Sequence, residues 1–204
     1  MNWVFITFLL GNAPAGAGGH STPHANLLES LGGAMKLIDC STPKHPNAFA
    51  MVDDADFDRL NQWKWGVSKK GNNFYAFRDD KMIGGIKGKT ILMHALVIGT
   101  KPGMVRDHIN GNGMDNRRFN LRFCTRKQNF FNSRKRKDGT TSRYKGVCFD
   151  RGANKFRSYI TYNGKKIHLG VFELESDAAL SYNNAAKIYQ RDFAKLNQIE
   201  RTTT

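Results

Sequence analysis

The residue pair best suited to chemistry is Asp107-His108, which opens a polar stretch that runs to Asn129. Aspartate and asparagine both offer oxygen, the ligand type that a hard cation such as Mg²⁺ prefers. Histidine is the side chain that most often acts as a base near neutral pH. Together these residue types could hold one divalent ion, Mg²⁺ or Mn²⁺, beside an imidazole that activates a water molecule.

Two strands and a helix are predicted around this pair. VRDHI (105–109) is expected to end one strand, LRFCT (121–125) to form a second, and RKQNFFNSRKRK to form a helix that ends near Asp138-Gly139. The loop between the strands, NGNGMDNRRFN, is rich in Gly and Asn, which tolerate left-handed backbone and form side-chain turns. A hairpin packed against a helix in this way can enclose one cation.

The side chains would then divide between two tasks. Asp107 would approach the ion from the first strand, and Asn129 would approach it from the first turn of the helix. His108 points to the opposite side of its strand because strand side chains alternate, so it can face a water. Hydrolysis of a phosphodiester needs such a water, together with a metal that acts as a Lewis acid.

The positive charge of the chain is concentrated in its C-terminal half. Residues 101–204 contain 22 Lys and Arg against 9 Asp and Glu, residues 1–100 contain 10 against 8, and the whole chain carries +15. A basic half attached to a nearly neutral half indicates a polyanionic partner, for which nucleic acid is the common case. The basic residues between 126 and 145 are expected to follow a phosphate backbone: Arg126, Lys127, Arg134, Lys135, Arg136, Lys137, Arg143 and Lys145.

The remaining composition argues against several other classes of site. Three dispersed cysteines without a Cys-x-x-Cys pair disfavour a disulfide framework and a zinc ribbon, and they favour a reducing compartment. The apolar run WVFITFLL (3–10) is too short to span a bilayer, and no Lys or Arg precedes it as a signal peptide requires. Residues 1–34 are therefore expected to be a flexible, disordered extension, with secretion as the alternative.

Short apolar runs separated by turn residues are expected to build a first folded part from Met35 onward. AFAMV (48–52) predicts a strand, DADFDRLNQ (54–62) predicts a short helix, and residues 63–68 and 73–78 predict the two strands of a hairpin. KTILMHALVIG (89–99) predicts either a buried strand or a short helix, because periodicity alone does not separate the two.

The last segment has the sharpest pattern of secondary structure. Residues 144–149, 155–162 and 165–172 predict three strands, and the hairpin turn Asn163-Gly164 joins the last two. ESDAALSYNNAAKIYQ then predicts a helix with Ser176 as its N-cap and a stripe of Ala and Tyr that lets it lie close to the sheet. A three-stranded antiparallel sheet packed on one helix is expected.

One face of this sheet would stay free of the helix. Alternation along the second and third strands exposes Arg157, Tyr159, Thr161, Lys166 and His168 on that face. Such a face can enter the major groove of DNA. An ordinary solvated face is the simpler explanation for any single strand, and the basic junction before the sheet favours DNA.

DHINGN…DNRRFNLRFCTRKQN strongly resembles the HNH nuclease motif of phage and intron homing endonucleases, and the similarity extends upstream through DDADFDRLNQWKW and LMHALVIG. The resemblance implies an α+β fold with a ββα-metal unit, in which His108 is the general base and Asp107 and Asn129 bind a single divalent ion. It also implies that Asn120, or alternatively Asn116, braces the loop through backbone hydrogen bonds. The last motif position is Asn where some relatives have His, which favours oxygen-preferring ions.

Residues 142–197 are similar to the ethylene-response-factor-type (integrase-like) DNA-binding domain of plant regulators, which is also found fused to phage HNH enzymes. YKGVCFDRGANKFRSYI, KKIHLGVF and ESDAALSYNNAA carry this similarity. It implies that the sheet enters the major groove, and it places Lys145 among the contact positions. Cys148, Asp150 and His168 depart from the residues that the family favours, so its target sequence does not carry over.

The expected organisation has five parts: a flexible extension (1–34), an HNH nuclease domain (35–137), a basic-flanked linker (138–142), an ethylene-response-factor-type domain (143–198) and a tail (199–204). No heptad or extended apolar helix suggests pairing, so we expect a monomer, and we expect no membrane attachment. The phage-type resemblance implies a phage-encoded protein that acts in the cytoplasm of a bacterial host.

The expected function is metal-dependent, site-selective cleavage of double-stranded DNA, by nicking or by double-strand cutting. Two alternatives stay open: a catalytically silent DNA-binding regulator, and a nuclease that cleaves RNA. His94 is expected to be a structural histidine, and His20, His24 and His45 are expected to have no catalytic role.

Overall fold

The computed structural model describes residues 34–80, 88–135 and 141–199, which form a mixed α+β fold of small antiparallel sheets and short helices. The expected N-terminal extension lies outside the described residues except for Ala34. So do Arg136, Lys137, most of the expected linker, and the tail beyond Ile199. No helix in the described ranges is both long enough and apolar enough to cross a membrane.

In chain order the elements are β1 Met35–Asp39, β2 Phe49–Asp53, α1 Asp54–Asn61, β3 Gly66–Lys70, β4 Asn73–Asp79, β5 Thr90–Leu92, α2 Met93–Ile98, β6 Val105–His108, β7 Leu121–Cys124, α3 Arg126–Phe131, β8 Val147–Asp150, β9 Lys155–Tyr162, β10 Lys165–Phe172 and α4 Glu175–Gln190. Short 3-10 turns occupy Arg118–Asn120 and Arg191–Phe193. The strands pair as β1-β2, β3-β4-β5, β6-β7 and β10-β9-β8.

The first three sheets share one apolar core. Its buried members come from β1, β2, α1, β4, α2, β7 and the neighbouring turns, and they include Ile38, Val52, Leu60, Met93 and, just before β3, Trp65. The Trp65 indole donates to the Leu60 carbonyl at 2.8 Å, so its polar edge is satisfied inside this core. The segment 89–99, for which either a strand or a short helix was predicted, contains one of each, because β5 leads directly into α2.

The hairpin β6-β7 and the helix α3 lie where the sequence predicts them. Thr125 begins the helix through a capping box, in which its hydroxyl accepts from the Gln128 N–H and the Gln128 side chain accepts from the Thr125 N–H. The helix ends at Phe131, so the prediction that it continues to near Asp138-Gly139 is wrong. It stops because Asn132 turns its side chain into the protein and the Ser133 hydroxyl donates back to the Phe130 carbonyl at 2.6 Å.

The C-terminal sheet and its helix match the predicted order of three strands and one helix. Ile160 and Ser158 of β9 are buried against α4, which lays Ala178, Ala179 and Tyr182 on the sheet. Close packing of this kind needs small residues on the helix, and alanine provides them. Ser176 is not the N-cap: Leu174 precedes the helix, and no side chain caps it.

Two lysines join the end of α3 to the start of the C-terminal sheet, and each reaches across this junction to the other side. The Lys145 ammonium donates to the carbonyls of Phe131 at 2.7 Å and Ser133 at 2.8 Å, which are left free at the end of α3. The Lys135 ammonium donates to the carbonyls of Tyr144 at 2.6 Å and Val147 at 3.1 Å, where β8 begins. The end of the hairpin unit and the start of the C-terminal sheet therefore satisfy each other's polar groups.

Gly146 and Gly164 provide a matched test of packing at the C-terminal sheet. Both have positive φ, at 76° and 75°, but a Cβ at Gly146 would lie 2.0 Å from the Tyr182 ring, whereas nothing lies within 4 Å of a Cβ at Gly164. We expect Gly164→Ala to lower the free energy of unfolding by about 1 kcal/mol through backbone strain alone. Gly146→Ala should cost about 3 kcal/mol or more, because overpacking adds to the strain.

Urea denaturation of the two variants, followed by far-UV circular dichroism, measures this difference. Equal losses for Gly146→Ala and Gly164→Ala would contradict the close packing of Tyr182 on the sheet.

Candidate active site

Asp107 is the buried acidic residue of the site. It lies in β6 with 6% of its surface exposed, directly opposite Arg122 of β7. The Arg122 guanidinium contacts Asp107 Oδ2 through Nε at 3.0 Å and Nη2 at 2.9 Å. The Asn132 amide donates to both carboxylate oxygens at 3.0 Å. Because a buried carboxylate loses its hydration, these two partners are what make its position in the fold tolerable.

Asn132 connects the end of α3 to the site strand. It is buried, and the same amide nitrogen that donates to Asp107 also lies 2.9 Å from the His108 carbonyl. One side chain therefore fixes the backbone and the carboxylate of β6 relative to the helix.

His108 is also buried, and its ring is held from the interior of the protein. Nε2 lies 3.3 Å from Oδ1 of Asn116. The Asn116 amide nitrogen is directed at the Met114 carbonyl, at 3.3 Å, so its oxygen faces the imidazole. An acceptor at Nε2 requires the neutral ring to carry its hydrogen there. This network assigns Nδ1 as the unprotonated nitrogen, and no described residue hydrogen-bonds it.

His108 packs against two other rings. The His94 ring lies edge-on at a centroid distance of 5.0 Å, and the Tyr75 ring lies at 5.8 Å. Burial lowers the pKa of His108 below its usual 6.5, and this outweighs the raising effects of the Asn116 bond and of nearby carboxylates. Burial, followed by the proximity of His108, lowers the pKa of His94 to about 3. Both imidazoles are therefore uncharged at neutral pH, and His94 belongs to the wall behind the site.

The loop between β6 and β7 is braced by side chains. Asn120 is buried, and its amide donates to the Asp115 carbonyl at 2.7 Å while its oxygen accepts from the Asn110 N–H at 3.0 Å. Burial raises the pKa of Asp115, but the bidentate Arg117 more than compensates and leaves that pKa lowered. A parallel bridge between Asp115 and Met51 ties the loop to β2. The loop is thus a fixed support for the site strand.

Asp107 and His108 line a cavity of about 330 Å³ that opens to solvent beside α3. Asn129 and Asn132 line the same cavity from the helix side. The Asn129 side chain is exposed and forms no hydrogen bond with any residue of the described ranges. The structure therefore brings Asn129 to the cavity that holds Asp107, but it gives the direct contact with the carboxylate to Asn132.

The oxygen atoms around this cavity suit a hard cation. No group of three or more His, Cys, Asp or Glu side chains that could hold a metal ion lies within residues 34–80, 88–135 and 141–199. Mg²⁺ keeps several water ligands and is often bound by only one or two carboxylates. Asp107 and the Asn129 carboxamide have this chemistry, and a cavity of about 330 Å³ holds several waters at ~30 Å³ each.

Three of the basic residues expected to contact phosphate stay at the surface around α3. Arg126 is exposed and has no hydrogen-bond or ion-pair partner among the described residues. Lys127 is exposed and places its ammonium 4.7 Å from the centre of the Tyr162 ring. Arg134 is exposed at the cavity rim, with Nη2 3.5 Å from the Gly111 carbonyl. Lys127 also donates to Asn163 Oδ1, and none of the three side chains has a carboxylate partner among the described residues.

The other basic residues of the junction have partners within the protein. The carbonyl contacts of Lys135 and Lys145 take up both ammonium groups, and burial lowers the pKa of Lys145 to about 8. Arg143 lies 3.7 Å from the Glu175 carboxylate, and its N–H donates to the same group at 2.9 Å. Lys135, Lys145 and Arg143, which were expected to contact phosphate, therefore have contacts within the protein instead.

The register of the C-terminal sheet places the expected base-contact residues on one face. Tyr159 lies opposite His168, and Thr161 lies opposite Lys166. The Lys166 ammonium lies 3.7 Å from the centre of the Tyr159 ring. Arg157 is exposed on the same strand and forms an ion pair with Asp150. The face away from α4 is consequently polar and accessible, as the alternation along the strands predicts.

Several contributors to the site were not singled out from the sequence. Arg122 could have been predicted from the sequence, because the register of the hairpin places it opposite Asp107. Asn132 stands three residues after Asn129, so it emerges from the same side of the helix. Tyr75 and Asn73 come from β4, where only tertiary packing reveals their position beside the cavity.

Comparison with known proteins gives one relevant relative. The chain is 28% identical over 153 residues to an uncharacterized HNH endonuclease of Acanthamoeba polyphaga mimivirus, with 74% of this chain and 76% of the relative covered. No family model matches the chain, and no solved structure matches it at a significant level. This similarity to a viral protein supports a nuclease of the HNH kind.

The different environments of Asn132 and Asn129 lead to a stability test. Asn132→Ala should lower the free energy of unfolding by about 1–3 kcal/mol, because it removes hydrogen bonds to a buried carboxylate. Asn129→Ala should change it by no more than about 0.5 kcal/mol, since the side chain is exposed. Chemical denaturation of both variants checks the difference, and a larger loss for Asn129→Ala would contradict the assigned contacts.

Proposed function

We propose that this protein is a metal-dependent, site-selective DNA endonuclease of the HNH homing type, with a ββα-metal active site in the hairpin β6-β7 and the helix α3. The observation that carries the proposal is the shared cavity, where the Asp107 carboxylate and the His108 imidazole lie beside the carboxamides of α3. The similarity to a viral protein named as an HNH endonuclease supports the same reaction class.

His108 is the general base of the proposed reaction. Its neutral ring has its hydrogen on Nε2, directed at Asn116, so Nδ1 can take a proton from the attacking water. Asn116 is a positioning residue, because it fixes which nitrogen is free. The lowered pKa of His108 keeps the ring in the form that accepts a proton at neutral pH.

Asp107 and Asn129 would hold one Mg²⁺ or Mn²⁺ ion. When bound, the ion would supply Lewis-acid stabilisation of the developing charge on the phosphoryl and leaving oxygens. Arg122 and Asn132 orient the Asp107 carboxylate. These contacts hold the Asp107 carboxylate in one orientation before the ion binds, so less side-chain freedom is lost when it binds.

The C-terminal sheet is the proposed targeting surface. Its exposed face carries Arg157, Tyr159, Thr161, Lys166 and His168, and a sheet face of this composition can read base edges in the major groove. Arg126, Lys127 and Arg134 would contact the sugar-phosphate backbone between this surface and the cavity. One chain would therefore contact double-stranded DNA both at the C-terminal sheet and beside the cavity.

A second function, DNA binding without cleavage, is favoured by one observation. The Asp107 carboxylate is already hydrogen-bonded by Arg122 and Asn132, and a guanidinium beside a carboxylate competes with a cation for it. A regulator of this kind would bind DNA through the same sheet without catalysis in the cavity. Cleavage assays separate the two functions.

Nicking of supercoiled plasmid tests the role of His108. We expect His108→Ala to lower the rate of nicking in Mg²⁺ by about 100-fold or more, because a positioned general base contributes about 10²–10⁴-fold. His45→Ala is the matched control, since His45 packs edge-on against Phe74 and lies outside the cavity. Equal rates for His108→Ala and the wild type would exclude this assignment.

Metal dependence gives a separate test. Excess EDTA should abolish nicking, and added Mg²⁺ or Mn²⁺ should restore it. Asn129→Ala should raise the Mg²⁺ concentration for half-maximal nicking by about 10-fold or more, a typical effect of losing a supporting group of a metal site. Asn184→Ala, an exposed asparagine of α4, controls for general effects. Cutting that persists in EDTA would argue against a metal-dependent reaction.

A further inference from the structure

The segment that follows α4 contacts the hairpin β6-β7 at one point and the residues before β8 at a second. The Arg122 guanidinium lies 4.0 Å from the centre of the Phe193 ring and donates to the Asp192 carbonyl at 2.7 Å. Further along, Asn197 accepts from the Lys145 N–H at 2.7 Å and donates to the Lys145 carbonyl at 3.0 Å. The residues between these points are therefore held against the loop that carries the proposed site.

Lys195 lies between the two anchors and reaches the loop that follows β6. Its ammonium donates to the Asn110 carbonyl at 3.2 Å. A Cβ at Gly111 would lie 3.8 Å from Lys195 Nζ and 3.7 Å from Arg134 Nε, so both cations lie against the same glycine. Arg134 comes from the segment after α3, whereas Lys195 comes from the far end of the chain. Folding thus brings together two positive charges that are distant in sequence.

The two cations have no carboxylate partner among the described residues. Each contacts one backbone carbonyl only, Gly111 for Arg134 and Asn110 for Lys195. Burial and then the charge of Arg134 lower the pKa of Lys195, while Asp107 raises it. Two neighbouring like charges without a carboxylate in direct contact repel each other in the free protein, and an anion between them would relieve this repulsion.

The position of the pair relates it to the proposed active site. Arg134 lines both the cavity of Asp107 and His108 and a second groove of about 960 Å³, which Lys195 also lines. The other basic side chains of that groove, Lys135, Lys145 and Arg143, already have carbonyl or carboxylate partners. Lys135 and Lys145 each donate to two carbonyls, whereas Arg134 and Lys195 each contact one, so these two keep more free donors for a ligand.

We propose that Arg134 and Lys195 together form a binding site for one phosphate of the DNA backbone next to the active-site cavity, so that the C-terminal segment contributes a substrate-positioning residue to the nuclease centre. The proposal rests on the proposed function for the identity of the ligand. A phosphodiester carries one negative charge and free oxygens, which suits one guanidinium and one ammonium that converge from two sides. Lys195 is not a catalytic residue in this scheme.

Salt-dependent binding tests the site without requiring cleavage. The parent is the full-length His108→Ala protein, and the probe is a short duplex oligonucleotide in EDTA between about 50 and 200 mM salt. Lys195→Gln should flatten the slope of log K against log salt by about 0.9, the value for one phosphate contact. Arg134→Gln with Lys195→Gln should flatten it no further, because both cations contact the same phosphate. Lys195→Arg keeps the charge and should keep the parent slope.

A matched control and a stability measurement exclude simpler explanations. Lys187→Gln removes the same charge from the exposed side of α4 and should leave the slope unchanged. Glutamine can still donate to the Asn110 carbonyl, so Lys195→Gln should not lower the Tm of the free protein, and relief of repulsion should hold it at or above the parent value. A lower Tm with an unchanged slope would show a purely structural role and overturn the proposal.

The outcomes separate this proposal from the nuclease function. If the wild type cuts plasmid DNA but Lys195→Gln leaves the slope unchanged, or if Lys187→Gln flattens it equally, the phosphate site is wrong and the nuclease stands. If the slope falls as expected but the wild type never cuts in Mg²⁺ or Mn²⁺, the phosphate site stands and the proposed catalysis fails.

Discussion

The organisation of the site depends on the burial of one carboxylate. Asp107 is removed from water, so it must be compensated from within the protein, and the compensation comes from Arg122 and Asn132. Arg122 belongs to the other strand of the hairpin, and Asn132 ends the helix. A single acidic group therefore links the hairpin to the end of the helix, and Asn132 extends this link to the His108 carbonyl.

The same carboxylate connects the site to the distant end of the chain. Arg122 uses one edge of its guanidinium for Asp107 and the remainder for Asp192 and the Phe193 ring. A planar group with several donors can do this, whereas a lysine at the same position could not divide its contacts in this way. Arg122 thus connects the C-terminal segment directly to the Asp107 carboxylate.

Local patterns in the sequence were sufficient to predict most of the elements. The turn Asn163-Gly164 and the alternation along residues 155–172 predicted β9 and β10 with their observed ends, since hairpin register and strand alternation are properties of neighbouring residues. The end of α3 at Phe131 was mispredicted, because nothing local distinguishes Asn132 as the residue that leaves the helix for a carboxylate 25 positions earlier.

The residues that meet around the cavity show the same limit more strongly. The Asp107-His108 pair was evident because the two residues are adjacent, and Asn129 was predicted from its place in the first turn of the helix and from resemblance to a known motif. Asn116, His94 and Tyr75 reach the imidazole from three separate elements, and only tertiary packing determines that convergence. The expected phosphate contacts Lys135 and Lys145 illustrate the reverse case, in which a basic residue within a charged run serves the interior.

The reciprocal lysines of the junction have an evolutionary consequence. Each half-buried ammonium is hydrogen-bonded by carbonyls on the other side, so either half would lose these hydrogen bonds if it were separated from its partner. A recombination event that joined this sheet to an unrelated enzyme would leave the lysine and two carbonyls of this sheet side without their hydrogen-bond partners. The two halves are therefore expected to have been inherited together, and a chimaera would succeed only if its breakpoint preserved the whole stretch from α3 to β8.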